Sequence, residues 1–218
     1  MSRWIIPRAI GLLALSCAFS TAARAGGCSG DGKSGGILKL DRCDEYEATG
    51  IYSRQNQKLV DAIVIGGSLG VAFWEGTDTR LGRTAWQSVD SMATAAVATE
   101  IMKHVFQRPR PSQSDDPDLW RQGKGNYSFP SGEVATMSAF VTPVILEYRE
   151  EYPAVWGLSV LPVYMAEARM ASLAHWTSDV LAGAAVGYVA GRFAVGRESP
   201  LVLGLTKDGA FAGFKRRF

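Results

Sequence analysis

The chain has few of the side chains that bind metal ions. Its 218 residues include two histidines and three cysteines, and no group of His, Cys and Asp has the spacing of a metal site. The sequence therefore predicts neither a metal nor another cofactor. An excess of one charge is also missing: residues 1–25 hold three arginines and no acidic residue, and the remaining chain has 20 basic and 21 acidic residues. A nearly neutral chain is not expected to bind nucleic acid.

Long apolar runs are missing as well. Beyond residue 25 the longest stretch without a charged residue is 152–166, which is 15 residues long and contains Pro153 and Pro162. A helix that crosses a bilayer needs about 20 predominantly apolar residues, so the sequence favours a soluble bundle. Helices this rich in Ala, Gly and Val leave one alternative, a bundle inside the membrane whose charges face a shared cavity.

The N terminus has the three parts of a secretory signal. Arg3 and Arg8 give it positive charge, 9–20 is apolar, and 23–25 reads Ala-Arg-Ala. We expect cleavage after Ala25 and a periplasmic location, with the inner membrane as the alternative.

The rest of the chain divides into three parts. The segment 26–53 holds Cys28 and Cys43, which an oxidising compartment would allow to pair, with two free thiols as the alternative. Residues 54–198 form the expected helical domain, and 199–218 the C-terminal tail.

Apolar stretches of helical length alternate with polar breaks and predict an all-α helical bundle. The expected helices are 56–74, 84–107, 133–149, 153–172 and 177–195. In the tail, 201–205 and 211–214 flank a Lys-Asp-Gly turn like a small β-hairpin. The last helix carries glycines at four-residue spacing, a stripe that lets a second helix approach closely.

The first candidate site combines Arg169, His175 and Asp179. Positions 175 and 179 lie on one face if the helix begins between them. An Asp bonded to one ring nitrogen would fix the tautomer and leave the other nitrogen free to attack. A structural His–Asp pair is the alternative.

Two further clusters contain groups that bind anions. Lys103, Arg108 and Arg110 are three cations within eight residues, which form an anion clamp if they turn inward and a basic helix end if they do not. Ser131 and Gly132 follow Pro130 at a helix start, where backbone N–H groups and a hydroxyl converge. Either cluster alone is compatible with an ordinary helix end.

Taken together, the three clusters resemble the ordered motifs of the type 2 phosphatidic acid phosphatase superfamily, over about residues 56–195. The matching elements are Lys-x6-Arg-Pro, then Pro-Ser-Gly, then Arg-x5-His-x3-Asp, with each spacing preserved. That family contains soluble acid phosphatases, membrane lipid phosphatases and vanadium-dependent haloperoxidases, all helical.

The resemblance implies a metal-independent phosphatase for phosphate monoesters, which include lipid phosphates and diphosphates. His175 would form a phosphohistidine, with Asp179 orienting its ring. The phosphoryl group would be held by side chains and an amide from all three motifs: Lys103, Arg110, Ser131, Gly132 and Arg169. The implied partner is a small-molecule or lipid phosphate with a membrane surface nearby, and the oligomeric state is open.

Two positions depart from the family pattern. Ala168 replaces a usual Ser, and Glu133 replaces the His that protonates the leaving oxygen. Glu133 can act as the acid only if it is protonated, and nearby cations and burial shift its pKa in opposite directions. A phosphate or phospholipid binder that has lost the general acid is therefore one alternative, and a vanadate haloperoxidase is another.

The loop 112–128 is expected to carry substrate specificity, because loops on a rigid scaffold usually provide recognition. It contains three aspartates and Trp120.

Overall fold

A computed structural model describes residues 34–42, 46–196, 201–206 and 209–214. The expected signal peptide 1–25, Cys28 and Cys43 lie outside these residues, so they stay predictions.

Within the described residues the domain is built from five α-helices, which confirms the all-α prediction. They are α1 (Arg54–Glu75), α2 (Arg80–Phe106), α3 (Gly132–Tyr148), α4 (Val160–Ala171) and α5 (Thr177–Val195). Short 3-10 segments occur at Ile37–Lys39, Gly50–Tyr52 and Pro153–Ser159.

Helix starts explain where the predicted bounds differ from the observed ones. The Ser53 hydroxyl accepts a hydrogen bond from Asn56 N at 3.3 Å, and the Thr79 hydroxyl accepts one from Gly82 N at 3.0 Å. These caps start α1 and α2 two and four residues before the predicted positions. The fourth predicted helix begins instead as the 3-10 segment that opens at Pro153, and α5 has the predicted bounds.

Helix α3 lies at the centre of the bundle, packed against α2 and α5. The glycine stripe of α5 makes the second contact close: a Cβ added at Gly187 would lie 2.2 Å from Ala135 O, and one at Gly183 would lie 2.4 Å from Ser131 O. The predicted close approach of a second helix is present, and it brings the N-terminal ends of α3 and α5 together.

The tail forms the predicted hairpin. Strands β1 (Leu201–Thr206) and β2 (Gly209–Phe214) pair antiparallel, with Leu201 opposite Phe214 and Thr206 opposite Gly209.

Helix α1 differs from the other helices in its exposed apolar surface. Among the described helices it alone has the length and composition to cross a membrane, and 22% of its apolar window is buried in the bundle. Phe73 and Trp74, at its C-terminal end, are 69% and 89% exposed.

The α3–α5 contact predicts the effect of Gly187→Ala. The new methyl group must push α3 away, and the stability loss should be about 1–3 kcal/mol, measured by urea unfolding. Gly67→Ala on α1 is the matched control because no atom lies within 4 Å of its Cβ; it should be neutral or stabilise by up to about 1 kcal/mol. Equal effects of the two substitutions would contradict this packing.

Candidate active site

A cavity of about 650 Å³ opens where α1 to α4 meet the segment that precedes α5. Six of the eight residues predicted for the site line it: Lys103, Arg110, Gly132, Glu133, Arg169 and His175. The other two, Ser131 and Asp179, are buried but do not line it.

His175 is held by a backbone carbonyl rather than by Asp179. Its Nδ1 lies 2.7 Å from Ser128 O, so Nδ1 carries the proton and Nε2 keeps its lone pair. The nearest Asp179 oxygen is 3.8 Å from Nδ1, too far for a hydrogen bond. The predicted His–Asp hydrogen bond is therefore corrected: Ser128 O fixes the tautomer, and Asp179 acts on the ring through its charge. Burial lowers the pKa of His175, which favours the neutral imidazole that a nucleophile requires.

Asp179 is completely buried and takes part in several other contacts. Oδ1 accepts a hydrogen bond from Arg108 Nη1 at 2.6 Å, and Oδ2 accepts from Ser128 Oγ at 2.5 Å and from Trp176 N at 2.9 Å. Burial alone would raise the pKa of Asp179, but the adjacent His175 ring, the charge of Arg108 and the hydrogen bond from Ser128 hold it below its ordinary value. The carboxylate is thus a fixed negative charge behind the imidazole.

Arg108 turns away from the cavity, so a clamp of all three cations, one of the two interpretations that the sequence left open, does not form. Its guanidinium is fully buried and donates to Asp41 Oδ2 and Pro117 O, each at 2.6 Å, in addition to Asp179. It also lies over the Trp120 ring, 4.5 Å from the centroid. Arg108 is therefore part of the structural core, and Lys103 and Arg110 are the cations of this cluster that line the cavity.

Gly132 allows the cation of α2 to approach the start of α3. A Cβ at Gly132 would lie 3.3 Å from Lys103 Nζ, so a larger residue would push the ammonium group aside. Ser131, one residue earlier, has a buried hydroxyl that finds no hydrogen-bond partner among the described residues. Its amide donates to Asp179 O at 2.9 Å, which joins the starts of α3 and α5.

Glu133 and Arg169 face each other across the cavity wall as an ion pair. Arg169 Nε lies 2.9 Å from Glu133 Oε2, and Arg169 Nη1 donates to Gln57 Oε1 at 3.0 Å. Arg54 makes a second ion pair with Glu133, with Nη2 2.5 Å from Oε1 and Nη1 2.9 Å from Oε2. Burial lowers the pKa of Arg169 to about 10, so Arg169 keeps its positive charge at neutral pH.

Helix α1 supplies site residues that the motifs did not reveal. Arg54 and Asp61 line the cavity, and Gln57 lies beside them on the same face. Their i, i+3, i+7 spacing is a polar stripe on an otherwise apolar helix, and this signal was available in the sequence. The loop 112–128, expected to carry specificity, contributes Ser112 to the wall, while Tyr46 and Ala48 come from the segment before α1.

Comparison with known proteins agrees with the motif pattern. The family model described as "PAP2 superfamily" matches residues 84–198. The lipid A 1-phosphatase of Porphyromonas gingivalis is 32% identical over 120 residues, which are 54% of this chain and 24% of that protein. The chain therefore spans about a quarter of that relative's length. The crystal structure of Aquifex aeolicus LpxE aligns with a TM-score of 0.42 and 18% identity, over 66% of this chain and 87% of that one.

The buried Arg108 predicts a large stability effect. Arg108→Gln leaves Asp41 and Asp179 buried without their cation, and it should destabilise the fold by about 3–5 kcal/mol, seen as a lower thermal midpoint. Arg149→Gln is the control, since Arg149 forms an exposed pair with its neighbour Glu150; it should change stability by no more than about 0.5 kcal/mol. A loss in the first variant no larger than in the second would show that the buried cluster is not required.

Proposed function

The chain belongs to the PAP2 superfamily, and from this premise we propose that it is a phosphatase that hydrolyses lipid phosphates through a phosphohistidine intermediate. The observation that carries the proposal is the position of His175. Its imidazole is buried, and the hydrogen bond to Ser128 O selects the tautomer with a free Nε2. It shares a cavity with four cations, which are Arg54, Lys103, Arg110 and Arg169. An orienting acceptor, a nucleophile and an anion-binding wall are the parts that phosphoryl transfer needs.

In the proposed reaction His175 Nε2 attacks phosphorus. Lys103, Arg110 and Arg169 hold the phosphoryl oxygens, and their charges stabilise the transition state. As the ring becomes positive, the fixed carboxylate of Asp179, 3.8 Å from Nδ1, compensates the new charge. The Gly132 amide and the unpartnered Ser131 hydroxyl are the proposed neutral donors to the same phosphate. The reaction as proposed uses no metal ion.

Glu133 belongs to the site in its ionised form. Burial acts to raise the pKa of Glu133, but the hydrogen bonds from Arg54 and the charge of Arg169 outweigh burial and lower the pKa below its ordinary value. At neutral pH Glu133 therefore has no proton to give. Its proposed task is to hold Arg169 in place until a phosphate binds.

A lipid phosphate is the substrate class that we favour. One relative is named for the dephosphorylation of lipid A, and the cavity wall includes Ile65 and Ala96 as well as its charges. Ile65 is 41% exposed, and Ile101 on α2 is 60% exposed. We propose that the acyl chains of the substrate lie on this apolar surface while the phosphate enters the cavity.

The function is tested by His175→Ala. Phosphate release from phosphatidate in mixed micelles and from p-nitrophenyl phosphate should fall by roughly 10³-fold or more, because the nucleophile is lost. Asp179→Asn should retain more activity, since the imidazole remains. His104→Ala is the matched control, because the other histidine is exposed, is bonded to Glu100 and lies outside the cavity lining.

Two outcomes would contradict the proposal. Turnover by His175→Ala within a few-fold of wild type would exclude the phosphohistidine route. A wild-type protein that binds phosphate but releases none from either ester would support the binding-protein alternative.

We also propose export to the periplasmic side, with the apolar surface of α1 at the inner membrane. The mature chain should begin at Gly26 by mass spectrometry, and protease added to spheroplasts should degrade it. Release from spheroplasts without detergent would indicate a periplasmic protein, and release only with detergent the inner-membrane alternative. An intact N terminus together with protection from protease would contradict export.

A further inference from the structure

The motif residues leave one chemical task without a group to perform it. When the ester P–O bond breaks, the leaving oxygen needs a proton, and a positioned acid contributes about 10²–10⁴-fold to the rate. Glu133 stands at the sequence position expected for that acid, but it is the centre of ion pairs with Arg54 and Arg169. It therefore accepts hydrogen bonds and has none to give.

His104 does not fill the gap. Its side chain is 59% exposed, Nδ1 lies 2.9 Å from Glu100 O, and its ring lies against Tyr127. It is not among the residues of the cavity wall.

Three carboxylates occur among the described residues that line the cavity: Asp61, Glu100 and Glu133. Glu100 has a side chain that is 59% exposed to solvent and lies 3.4 Å from Lys103 Nζ. Asp61 is different because it is half-buried, and its Oδ1 is shielded from solvent and has no hydrogen-bond partner among the described residues. Burial of a carboxyl oxygen without a hydrogen-bond partner favours the protonated, neutral form of the group.

Burial and the neighbouring charges together determine the pKa of Asp61. Burial is the main reason why the pKa of Asp61 rises to about 6, and the negative charge of Glu133 adds to it, while Arg54 and Arg169 oppose it. The charged and titratable groups that face the cavity come from α1, α2, α3 and α4 and from the segments beside them: Tyr46, Arg54, Glu100, Lys103, Arg110, Glu133, Tyr164, Arg169 and His175.

We propose that Asp61 is the general acid of this site, supplied by α1 from outside the family-matched region 84–198. The inference rests on the proposed phosphatase function. Arg54, seven residues earlier and on the same face of α1, holds Glu133 ionised, and the negative Glu133 in turn helps Asp61 to keep its proton.

The proton balance closes over one cycle. The Nε2 lone pair of His175 forms the N–P bond, the P–O bond breaks, and the leaving oxygen takes the proton of Asp61, so an alcohol departs and Asp61 becomes a carboxylate. Water then attacks phosphorus and passes a proton to Asp61, and the N–P electron pair returns to Nε2. Phosphate leaves, and both side chains are restored.

The test compares two leaving groups across pH. Asp61→Asn should lower kcat/KM, which reports the step that breaks the ester P–O bond, by about 10²–10⁴-fold for an alkyl phosphate. For p-nitrophenyl phosphate the loss of kcat/KM should be much smaller, because nitrophenolate leaves without a proton. In the wild type, activity on the alkyl ester should fall as pH rises through about 6, since the acid must be protonated; Asp61→Asn should abolish this dependence and Asp61→Glu should retain it. Asp78→Asn, at an exposed position before α2, is the matched control.

Glu133→Gln separates the two candidate acids. If Asp61 is the acid, removing the neighbouring negative charge lowers its pKa, and the fall of activity with rising pH moves to lower pH. If Glu133 is the acid, this fall disappears. Three outcomes would each overturn the proposal. Asp61→Asn could lower kcat/KM equally on both esters, or it could leave the fall of activity at high pH unchanged. Glu133→Gln could abolish that fall. Circular dichroism checks the fold of each variant. If Asp61→Asn does not fold, the pH dependence of activity in Asp61→Glu and Glu133→Gln tests the proposal instead. An inactive wild type or an active His175→Ala would instead indicate failure of the proposed function.

Discussion

The site depends on one buried ion cluster, in which Arg108 lies between two carboxylates. Asp41 and Asp179 are both fully buried, and each lies 2.6 Å from a guanidinium nitrogen of Arg108. Buried charges are tolerated only when they are paired and hydrogen-bonded, and here the Ser178 hydroxyl and the Pro117 carbonyl complete the arrangement. The cluster connects the N-terminal segment, the loop after α2 and the start of α5, so it sets the position of the segment that carries His175.

The same cluster determines the electrostatic environment of His175, the proposed nucleophile. Because the oxygens of Asp179 are occupied by Arg108, Ser128 and Trp176, the carboxylate does not reach His175, and a carbonyl takes over the orientation of the ring. A neutral acceptor such as Ser128 O fixes the tautomer without raising the basicity of the ring as much as a bonded carboxylate would. Burial lowers the pKa of His175 although Asp179 acts to raise it, so the imidazole is held neutral with a carboxylate 3.8 Å from its Nδ1.

The sequence revealed the motifs because their spacing is local, and the helices because their apolar periodicity is local. The environment of Glu133 is not local: its partners are Arg54, 79 residues earlier, and Arg169, 36 residues later. The sign of its pKa shift required knowing that both guanidiniums reach the same carboxylate. The turn of Arg108 away from the cavity also depends on Asp41, a residue outside every motif. The signal peptide expected at 1–25 and the disulfide expected between Cys28 and Cys43 stay predictions.

The presence of Arg54 gives a physical reason why a carboxylate is tolerated at position 133. Where the family pattern has a histidine, which is neutral or positive, Glu133 adds a negative charge to a cavity that we propose binds a phosphate. Two unit charges 4 Å apart interact by about 4 kcal/mol at the effective dielectric constant of a protein surface, so an uncompensated carboxylate would weaken phosphate binding severely. Arg54, on α1, compensates this negative charge, with its Nη2 2.5 Å from Glu133 Oε1. The glutamate at position 133 and the polar stripe of α1 thus compensate each other's charge. Helix α1 therefore belongs to the site together with the three motifs.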